Sequence, residues 1–255
     1  MKTEMGYQLS SITPYLDTPA HMRDSFEKIA KIGYRHVQLQ GVPIEIDDND
    51  IANALKGSGL NCVATQVDYS FALGNNSERV IARASRCGAK CICFALIPRE
   101  IDSIAALEEF AVKVNKTAKK VQAAGMILTF HPIGHDFRDM QGQPAYQRLL
   151  DLLTESIQLT FCVSSAHSAG IANTLPIIEK YAGRIDLVHF KDDAPISGTE
   201  RHLMPLGQGT HDWAPILNAC NDAGVKYVFA EQERWLKDAF DCAKDSYDYL
   251  KSLGL

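Results

Sequence analysis

One short pattern recurs five times along the chain: a helical segment, a glycine and then a short apolar run. The copies are KIGYRHVQL, SGLNCVATQ, RCGAKCICF, AAGMILTF and DAGVKYVFA. Glycine often ends a helix because it adopts left-handed backbone angles without strain. The runs that follow are rich in Val, Ile, Phe, Cys and Thr, which are typical of strands. The repeat therefore predicts a chain built from successive helix–strand units.

Eight apolar runs are the predicted β-strands, and they are apolar almost throughout, as parallel strands covered on both faces are. They lie at residues 7–12, 35–40, 61–68, 90–97, 126–132, 158–165, 185–192 and 226–232. A doubly wound open sheet is the alternative, but no glycine-rich phosphate loop follows the first strand. The chain length of 255 residues matches a closed barrel, for which about 250 residues are typical. We predict an α/β fold, a single (β/α)₈ barrel domain over residues 1–255.

Composition narrows the class of function. The formal net charge of −5 argues against a nucleic acid partner, which favours a basic surface. No apolar run approaches the roughly 18 residues of a membrane span, and the first residues lack the apolar stretch of a secretory signal. The seven cysteines are odd in number and lie within helices and strands, so we expect reduced, buried thiols that bind no metal. These features favour a cytoplasmic protein that acts on a small molecule without a membrane partner, and they leave homo-oligomerisation open.

Polar residues stand at the ends of the predicted strands, where barrels of this kind place their active sites. His131, His189 and Glu231 are the central candidates, because an inward-facing carboxylate near two imidazoles is hard to explain by packing alone. The plainer interpretation is a pair of structural histidines and a solvated glutamate. The polar residues at strand ends are Gln38, Gln40, Gln66, Asp68, His131, Ser164, His167, His189, Lys191 and Glu231.

Several phrases resemble the sugar phosphate isomerase/epimerase family, the xylose-isomerase-like TIM barrels. RIDLVHFKD resembles the family's strand-seven ending VHLKD, and PLGQGTHDW with AGVKYVFAEQE resembles its passage into strand eight. LTFHPIGHDF is similar to the fifth-strand pattern YHNHxxEF, and YQLSSI and IGYRHVQLQG match the amino-terminal phrases more loosely. The resemblance covers nearly the whole chain, and it implies a TIM barrel that acts on a sugar or sugar derivative.

The resemblance also implies a divalent metal at the barrel mouth. The family's ligands are a Glu on strand five, an Asp on strand six, a His on strand seven and a Glu on strand eight. By position these fall on His131, Ser164, His189 and Glu231, so two of the four match. The family's strand-two Glu and strand-three His fall on Gln38 and Gln66.

These replacements predict a change in metal preference. Mg²⁺ and Mn²⁺ prefer carboxylate oxygen, so losing the strand-five and strand-six carboxylates disfavours them. Imidazole suits Zn²⁺. We therefore expect either a metal-free site or a zinc-type ion held by His189 and Glu231 with His131. His167 is a further candidate ligand.

The reaction implied by the resemblance is isomerisation or epimerisation of a sugar or keto-sugar. A base removes a proton next to a carbonyl, and a positive group stabilises the enediolate oxygen. Glu231 is the first candidate base, and His131 is the second acid/base group. His189 and Lys191 are candidates for stabilising the oxyanion, unless Lys191 instead pairs with Asp192. The predicted substrate contacts are Gln38, Gln66, Ser164 and Lys191, with Trp213 against an apolar sugar face unless it packs within a helix.

Three other functions remain as alternatives to an isomerase or epimerase. A non-catalytic carbohydrate-binding barrel agrees with the replaced family positions. A lyase or hydrolase acting on an oxidised sugar would use the same proton abstraction. An apurinic endonuclease shares the barrel but needs a cluster of metals and a basic surface, which the acidic chain does not favour.

Overall fold

The computed structural model describes residues 2–197 and 200–255, and the strands within them form a closed parallel barrel and a separate hairpin. Strands β1–β7 and β10 make the barrel; each pairs in parallel with the next, and β10 closes the circle between β7 and β1. The predicted (β/α)₈ barrel is confirmed. In chain order the strands are β1 (Glu4–Gln8), β2 (His36–Leu39), β3 (Asn61–Asp68), β4 (Cys91–Ala95), β5 (Ile127–His131), β6 (Gln158–Cys162), β7 (Ile185–Phe190), β8 (Asp192–Ser197), β9 (Glu200–Met204) and β10 (Tyr227–Ala230).

Helices cover the outside of the barrel. Their starts follow local capping chemistry: the side chains of Thr18, Ser103 and Asp238 accept backbone N–H groups of the first turn. Within the described residues, no helix has both the length and the apolar character needed to cross a membrane. The helices are α1 (Pro19–Ile32), α2 (Asp48–Ser58), α3 (Tyr69–Leu73), α4 (Ser77–Arg86), α5 (Ile104–Ala123), α6 (Ala145–Leu152), α7 (Val163–Ser168), α8 (Leu175–Lys180), α9 (Trp213–Ala223) and α10 (Ala239–Ser252), and Leu9–Tyr15 and Gly134–Phe137 are 3₁₀ turns.

The first predicted strand, residues 7–12, is wrong from residue 9 onward. β1 ends at Gln8, and the chain then forms the 3₁₀ turn. Leu9 and Ile12 are fully buried in the main core and not in the strand ladder, because apolar content alone does not distinguish a strand from a short buried turn. The sixth predicted strand is also too long, since Ser164 already lies in α7.

The segment after β7 forms an antiparallel hairpin that the sequence patterns did not predict. Asp192 of β8 pairs with Met204 of β9, and residues 198 and 199 lie outside the described ranges. The Asp192 carboxylate is fully buried and accepts the backbone N–H groups of Gly207 at 2.9 Å and Gly209 at 3.1 Å. A side chain at Gly209 would overlap this carboxylate. The glycines of the phrase PLGQG are therefore needed where the loop closes on Asp192.

Alternation along the strands decides which side chains fill the barrel. Phe229 points inward and packs with Leu187 and Ala64 in a small interior cluster. The position of Gly6 makes room for the Phe229 ring, since a Cβ there would lie 2.5 Å from it. All seven cysteines are buried and free, as expected of reduced thiols. The interior is thus packed, and His189 lies above this layer with its ring 6.3 Å from that of Phe229.

Candidate active site

Three of the predicted residues meet at the carboxyl ends of their strands. His131 ends β5, His189 lies near the end of β7, and Glu231 follows β10; their exposed fractions are 5%, 0% and 6%. The two imidazole rings are 4.8 Å apart between centroids. His189 Nδ1 faces Glu231 Oε2 at 3.3 Å. The strand ends therefore bring two imidazoles and a carboxylate into one buried cluster.

Lys191 adds a second cation to this cluster. Its Nζ lies 3.5 Å from Glu231 Oε1 and 2.7 Å from Glu233 Oε1. The alternative prediction, that Lys191 pairs with Asp192, is wrong, because the Asp192 carboxylate is occupied by the loop amides and the Trp213 indole. Lys191 instead extends over the mouth and contacts the same carboxylate as His189.

The contacts set the charges of the cluster. Burial opposes the positive charge of His189, but Glu231 outweighs it and raises the pKa of His189 to about 9. Burial also opposes the negative charge of Glu231, yet the cations Lys191 and His189 hold the pKa of its carboxyl well below the usual range. Burial and repulsion from His189 lower the pKa of His131 well below that of an ordinary histidine. At neutral pH the cluster is a carboxylate between two cations, with a neutral imidazole beside them.

Glutamine side chains occupy the opposite side of the mouth. His189 Nε2 donates to Gln38 Oε1 at 2.6 Å, which agrees with a doubly protonated ring. The Gln38 amide donates to Gln66 Oε1 at 3.1 Å, and the Gln8 amide donates to both Gln38 and Gln40 at 3.0 Å. Sequence reasoning missed Gln8, because the predicted first strand placed it in mid-strand and not at the strand end. A fixed amide network thus faces the charged cluster.

Cys162 also belongs to the cluster. Its Sγ and one ring nitrogen each from His131 and His189 lie within 4.8 Å of one another. The expectation that the cysteines lie within strands and helices is wrong for Cys162 as regards the mouth, because Cys162 is the last residue of β6 and faces inward beside His189. Among residues 2–197 and 200–255, neither ring nitrogen of His131 has a hydrogen-bond partner although the ring is buried.

These donors can be tested against the metal that the resemblance implies. One thiol and two imidazoles suit a zinc-type ion in kind. The grouped donors include no carboxylate, and the neighbouring Glu231 already faces two cations, so the set does not fit Mg²⁺, which requires oxygen ligands. His189 would have to give up its contact with Gln38 or with Glu231 to bind an ion. The three donor types therefore suit a zinc-type ion, but binding it would break one of the two contacts of His189.

Three predicted site residues lie apart from this cluster. His167, on α7, packs against His211 at 4.3 Å between ring centroids and is not among the grouped donors. Ser164 is buried in the first turn of α7, two residues beyond Cys162. Trp213 is fully buried, stacks on Phe190 at 4.4 Å and donates its indole N–H to Asp192. The predicted sugar contact of Trp213 is therefore wrong. The alternative is correct: Trp213 packs at the start of helix α9.

Comparisons with known proteins agree with this architecture. A family model for xylose isomerase-like TIM barrels matches residues 26–253. A sugar phosphate isomerase/epimerase from Parabacteroides distasonis superimposes with a TM-score of 0.83 at 16% identity, covering 99% of this chain and 94% of that one. No curated protein sequence matches the chain.

Two further solved structures are similar. An L-ribulose 3-epimerase gives a TM-score of 0.77 at 15% identity, with 98% of this chain and 94% of that one covered. A xylose isomerase-like TIM barrel protein from Mycobacterium smegmatis, solved in complex with magnesium, gives 0.74 at 13% identity, with 99% and 98% covered. Likeness at such low identity shows the fold alone.

Proposed function

The chain belongs to the xylose isomerase-like TIM barrel family, and on this premise we propose that it is an isomerase or epimerase that moves a proton at a carbon next to the carbonyl of a sugar or sugar derivative. The observation that carries the proposal is the buried carboxylate between two cations, Glu231 with His189 and Lys191, beside an unpartnered neutral imidazole, His131. Two of the similar structures are described as an isomerase/epimerase and an epimerase of sugars.

His131 is the proposed base. Its ring nitrogens have no partner in the part of the chain that the structure describes, and its lowered pKa keeps one of them free of a proton at neutral pH. A weakly basic imidazole removes a carbon-bound proton only when the developing oxyanion is strongly stabilised. His189 and Lys191 supply that stabilisation, because both are cationic and face the same buried space.

Glu231 has a different role in this proposal from the one that its strand-end position suggested. A carboxylate whose pKa lies well below the usual range is a poor base. Glu231 instead holds His189 and Lys191 in their charged forms. In an isomerisation the proton taken by His131 returns to the neighbouring carbon, and Lys191 donates a proton to the carbonyl oxygen and takes the proton of the neighbouring hydroxyl in exchange. In an epimerisation Lys191 delivers a proton to the opposite face of the same carbon, and the proton held by His131 is released to solvent.

The amide network is the proposed hydroxyl-binding side. Gln38 and Gln66 have fixed orientations because each amide is held by a neighbour. Ser164 remains a proposed contact, from the first turn of α7 just beyond β6. Amide groups accept and donate at once, which suits the vicinal hydroxyls of a sugar.

A zinc-type ion would be held by His131, Cys162 and His189, and it would supply Lewis-acid polarisation of the carbonyl. An imidazole bound to a metal cannot accept a proton. The base role of His131 and metal binding by His131 therefore exclude each other. The hydrogen bond of His189 Nε2 to Gln38 and the ion pair of its Nδ1 with Glu231 favour the metal-free form.

Hydrogen–deuterium exchange tests the reaction. The protein is incubated in D₂O with aldoses, ketoses, their phosphates and their oxidised derivatives, and mass spectrometry measures deuterium at the carbon next to the carbonyl. We expect exchange with at least one sugar, abolished in His131→Ala and Lys191→Met and unchanged in His21→Ala, which alters an exposed histidine. A sugar that raises the melting temperature without exchange or turnover would overturn the proposal in favour of a binding-only barrel.

A further inference from the structure

One residue next to the proposed base has a left-handed backbone although it is not a glycine. Leu96 directly follows β4 and has a φ of 59°. Its N–H donates to the backbone carbonyl of His131 at 3.1 Å. A bulky residue in this conformation is strained, and it persists only where its surroundings fix it. The turn at Leu96 must therefore be held by contacts close to His131.

Asp136 supplies these contacts from the 3₁₀ turn that follows β5. Its side chain is fully buried. Oδ1 accepts the N–H of Ile97 at 3.0 Å, and Oδ2 accepts the N–H of Ile133 at 2.9 Å. Ile97 follows the strained Leu96, and Ile133 lies two residues after His131. One carboxylate thus joins the chain after β4 to the chain after β5, close to the His131 backbone.

Two neighbouring side chains strengthen this connection. His135 Nε2 donates to the carbonyl of Ile97 at 2.7 Å and lies 3.3 Å from Asp136 Oδ1. The Arg138 guanidinium donates to the carbonyls of His135 and Ile101. We call His135, Asp136 and Arg138 the clamp. Its contacts tie the turn after β5 to the loop after β4 at three backbone positions of that loop and turn.

The His131 imidazole depends on its backbone for its position. Its ring nitrogens make no hydrogen bond within the described residues, so no polar partner orients the ring. Pro132 follows, and proline has a fixed φ and no N–H to donate. The backbone of His131 is therefore fixed by the hydrogen bond from Leu96 on one side and by the anchored Ile133 on the other.

From these contacts we propose that Asp136 is a positioning residue, which fixes the His131 imidazole by holding the backbone on both sides of it. A base must lie within hydrogen-bond reach of the proton that it removes, and a displacement of about 1 Å can cost about 100-fold in rate. The base role of His131 rests on the proposed function, whereas the hold of the clamp on the His131 ring does not.

Histidine ring resonances test the clamp without any substrate. Asp136→Asn replaces one carboxylate oxygen by an NH₂ group, which cannot accept a backbone N–H. The His131 ring resonance should then shift and broaden in two-dimensional NMR spectra of the full chain, because the ring is no longer held in one position. Asp139→Asn is the matched control, since the exposed Asp139 accepts the N–H of Gly142 in the same loop.

A second variant keeps the test decisive if Asp136→Asn does not fold. His135→Phe keeps an aromatic ring at a partly exposed position and removes the donor to the Ile97 carbonyl. It should shift the His131 resonance in the same direction by a smaller amount. A His131 resonance that is unchanged in the folded variants, or equally changed in Asp139→Asn, would overturn the proposal.

The deuterium exchange reaction measures the consequence for catalysis. Asp136→Asn should lower kcat roughly ten- to hundred-fold and leave KM nearly unchanged, because the base moves and the hydroxyl contacts stay. Burial raises the pKa of Asp136 to about 6, against the N–H groups of Ile133 and Ile97 and the facing His135 and Arg138. Wild-type kcat should therefore fall as the pH drops through about 6, where a protonated oxygen loses one N–H, and Asp136→Asn should lack this step.

The two measurements separate the clamp from the reaction. A kcat equal to that of wild type, or a loss confined to KM, would contradict the positioning role while leaving the proposed reaction intact. A wild type that exchanges deuterium with no sugar would contradict the proposed reaction, and the His131 resonance would then decide on the clamp alone.

Discussion

The two halves of the barrel mouth use opposite chemistry. The charged half, from β5, β7 and β10, consists of His131, His189, Lys191 and Glu231, and the amide half, from β1–β3, consists of Gln8, Gln38, Gln40 and Gln66. They meet at one short hydrogen bond, from His189 Nε2 to Gln38 Oε1. Charges move protons and stabilise oxyanions, whereas fixed amides orient hydroxyls. The division suggests that chemistry and recognition are carried by different strands of one pocket.

The amide half carries no charge, and this affects the protonation of His189 in the charged half. His189 is held in its cationic form by a single carboxylate, Glu231. A second carboxylate at Gln38 would share that proton and repel Glu231. The glutamines thus leave Glu231 as the anion that His189 contacts within the described residues.

The largest effect is expected from Glu231→Gln, which removes the carboxylate between two buried cations. Breaking a buried ion pair on one side leaves an uncompensated charge, so we expect the free energy of unfolding to fall by about 3 kcal/mol. Denaturant titration measures it. Glu233→Gln is the matched control, because Glu233 is more exposed than Glu231 and its ion pair is with the more exposed cation, Lys191. An equal or larger loss in the control would show that the ion cluster is centred on Glu233.

Metal content tests whether the charged half works without a metal. Protein purified without chelator is expected to hold at most substoichiometric zinc and no stoichiometric Mg²⁺ or Mn²⁺, measured by elemental mass spectrometry. Any zinc found should be lost in Cys162→Ser and in His189→Ala and retained in Cys93→Ser, another buried inner thiol outside the donor group. Tight Mn²⁺ that survives His189→Ala would place the metal elsewhere in the protein.

Replacing Gln38 by Leu tests the contact between the halves. The variant removes the acceptor of His189 Nε2, and losses for such supporting partners are typically about 10–100-fold in activity. We expect a decrease of this size in the deuterium exchange rate. Gln40→Leu, which contacts only Gln8 in the network, should lose less. Similar losses for both variants would mean that the network acts as a unit and not through His189.

The smallest effect is expected from Gln66→Leu. If the amide half only binds hydroxyls, this variant raises KM several-fold and leaves kcat nearly unchanged, because uniform binding is lost. Initial exchange rates at varied sugar concentration separate the two constants. A fall in kcat equal to that of Gln38→Leu would contradict the division of the mouth into a chemical and a recognition half.

The positions of the central residues follow from local sequence alone. Glycine followed by an apolar run locates five of the barrel strands, apolar content locates the others, and strand ends locate His131, His189 and Glu231. Alternation around Val188 and Phe190 correctly predicts that His189 faces inward, because successive side chains of a strand point to opposite faces. These features depend on a few neighbouring residues, so they are visible without the rest of the chain.

What the tertiary structure decides is which inward side chains meet. Cys162 and Ser164 are two residues apart, so on one strand their side chains would point to the same face. Of these two, Cys162 reaches His189 and Ser164 does not, because β6 ends at Cys162 and Ser164 lies in α7. Gln8 enters the network because β1 ends one residue before the 3₁₀ turn. The sequence by itself determined the barrel, its strand ends and the residue types at the mouth. Contact across a barrel depends on the register of non-adjacent strands and on where each strand ends, and both are fixed only when all eight strands close together.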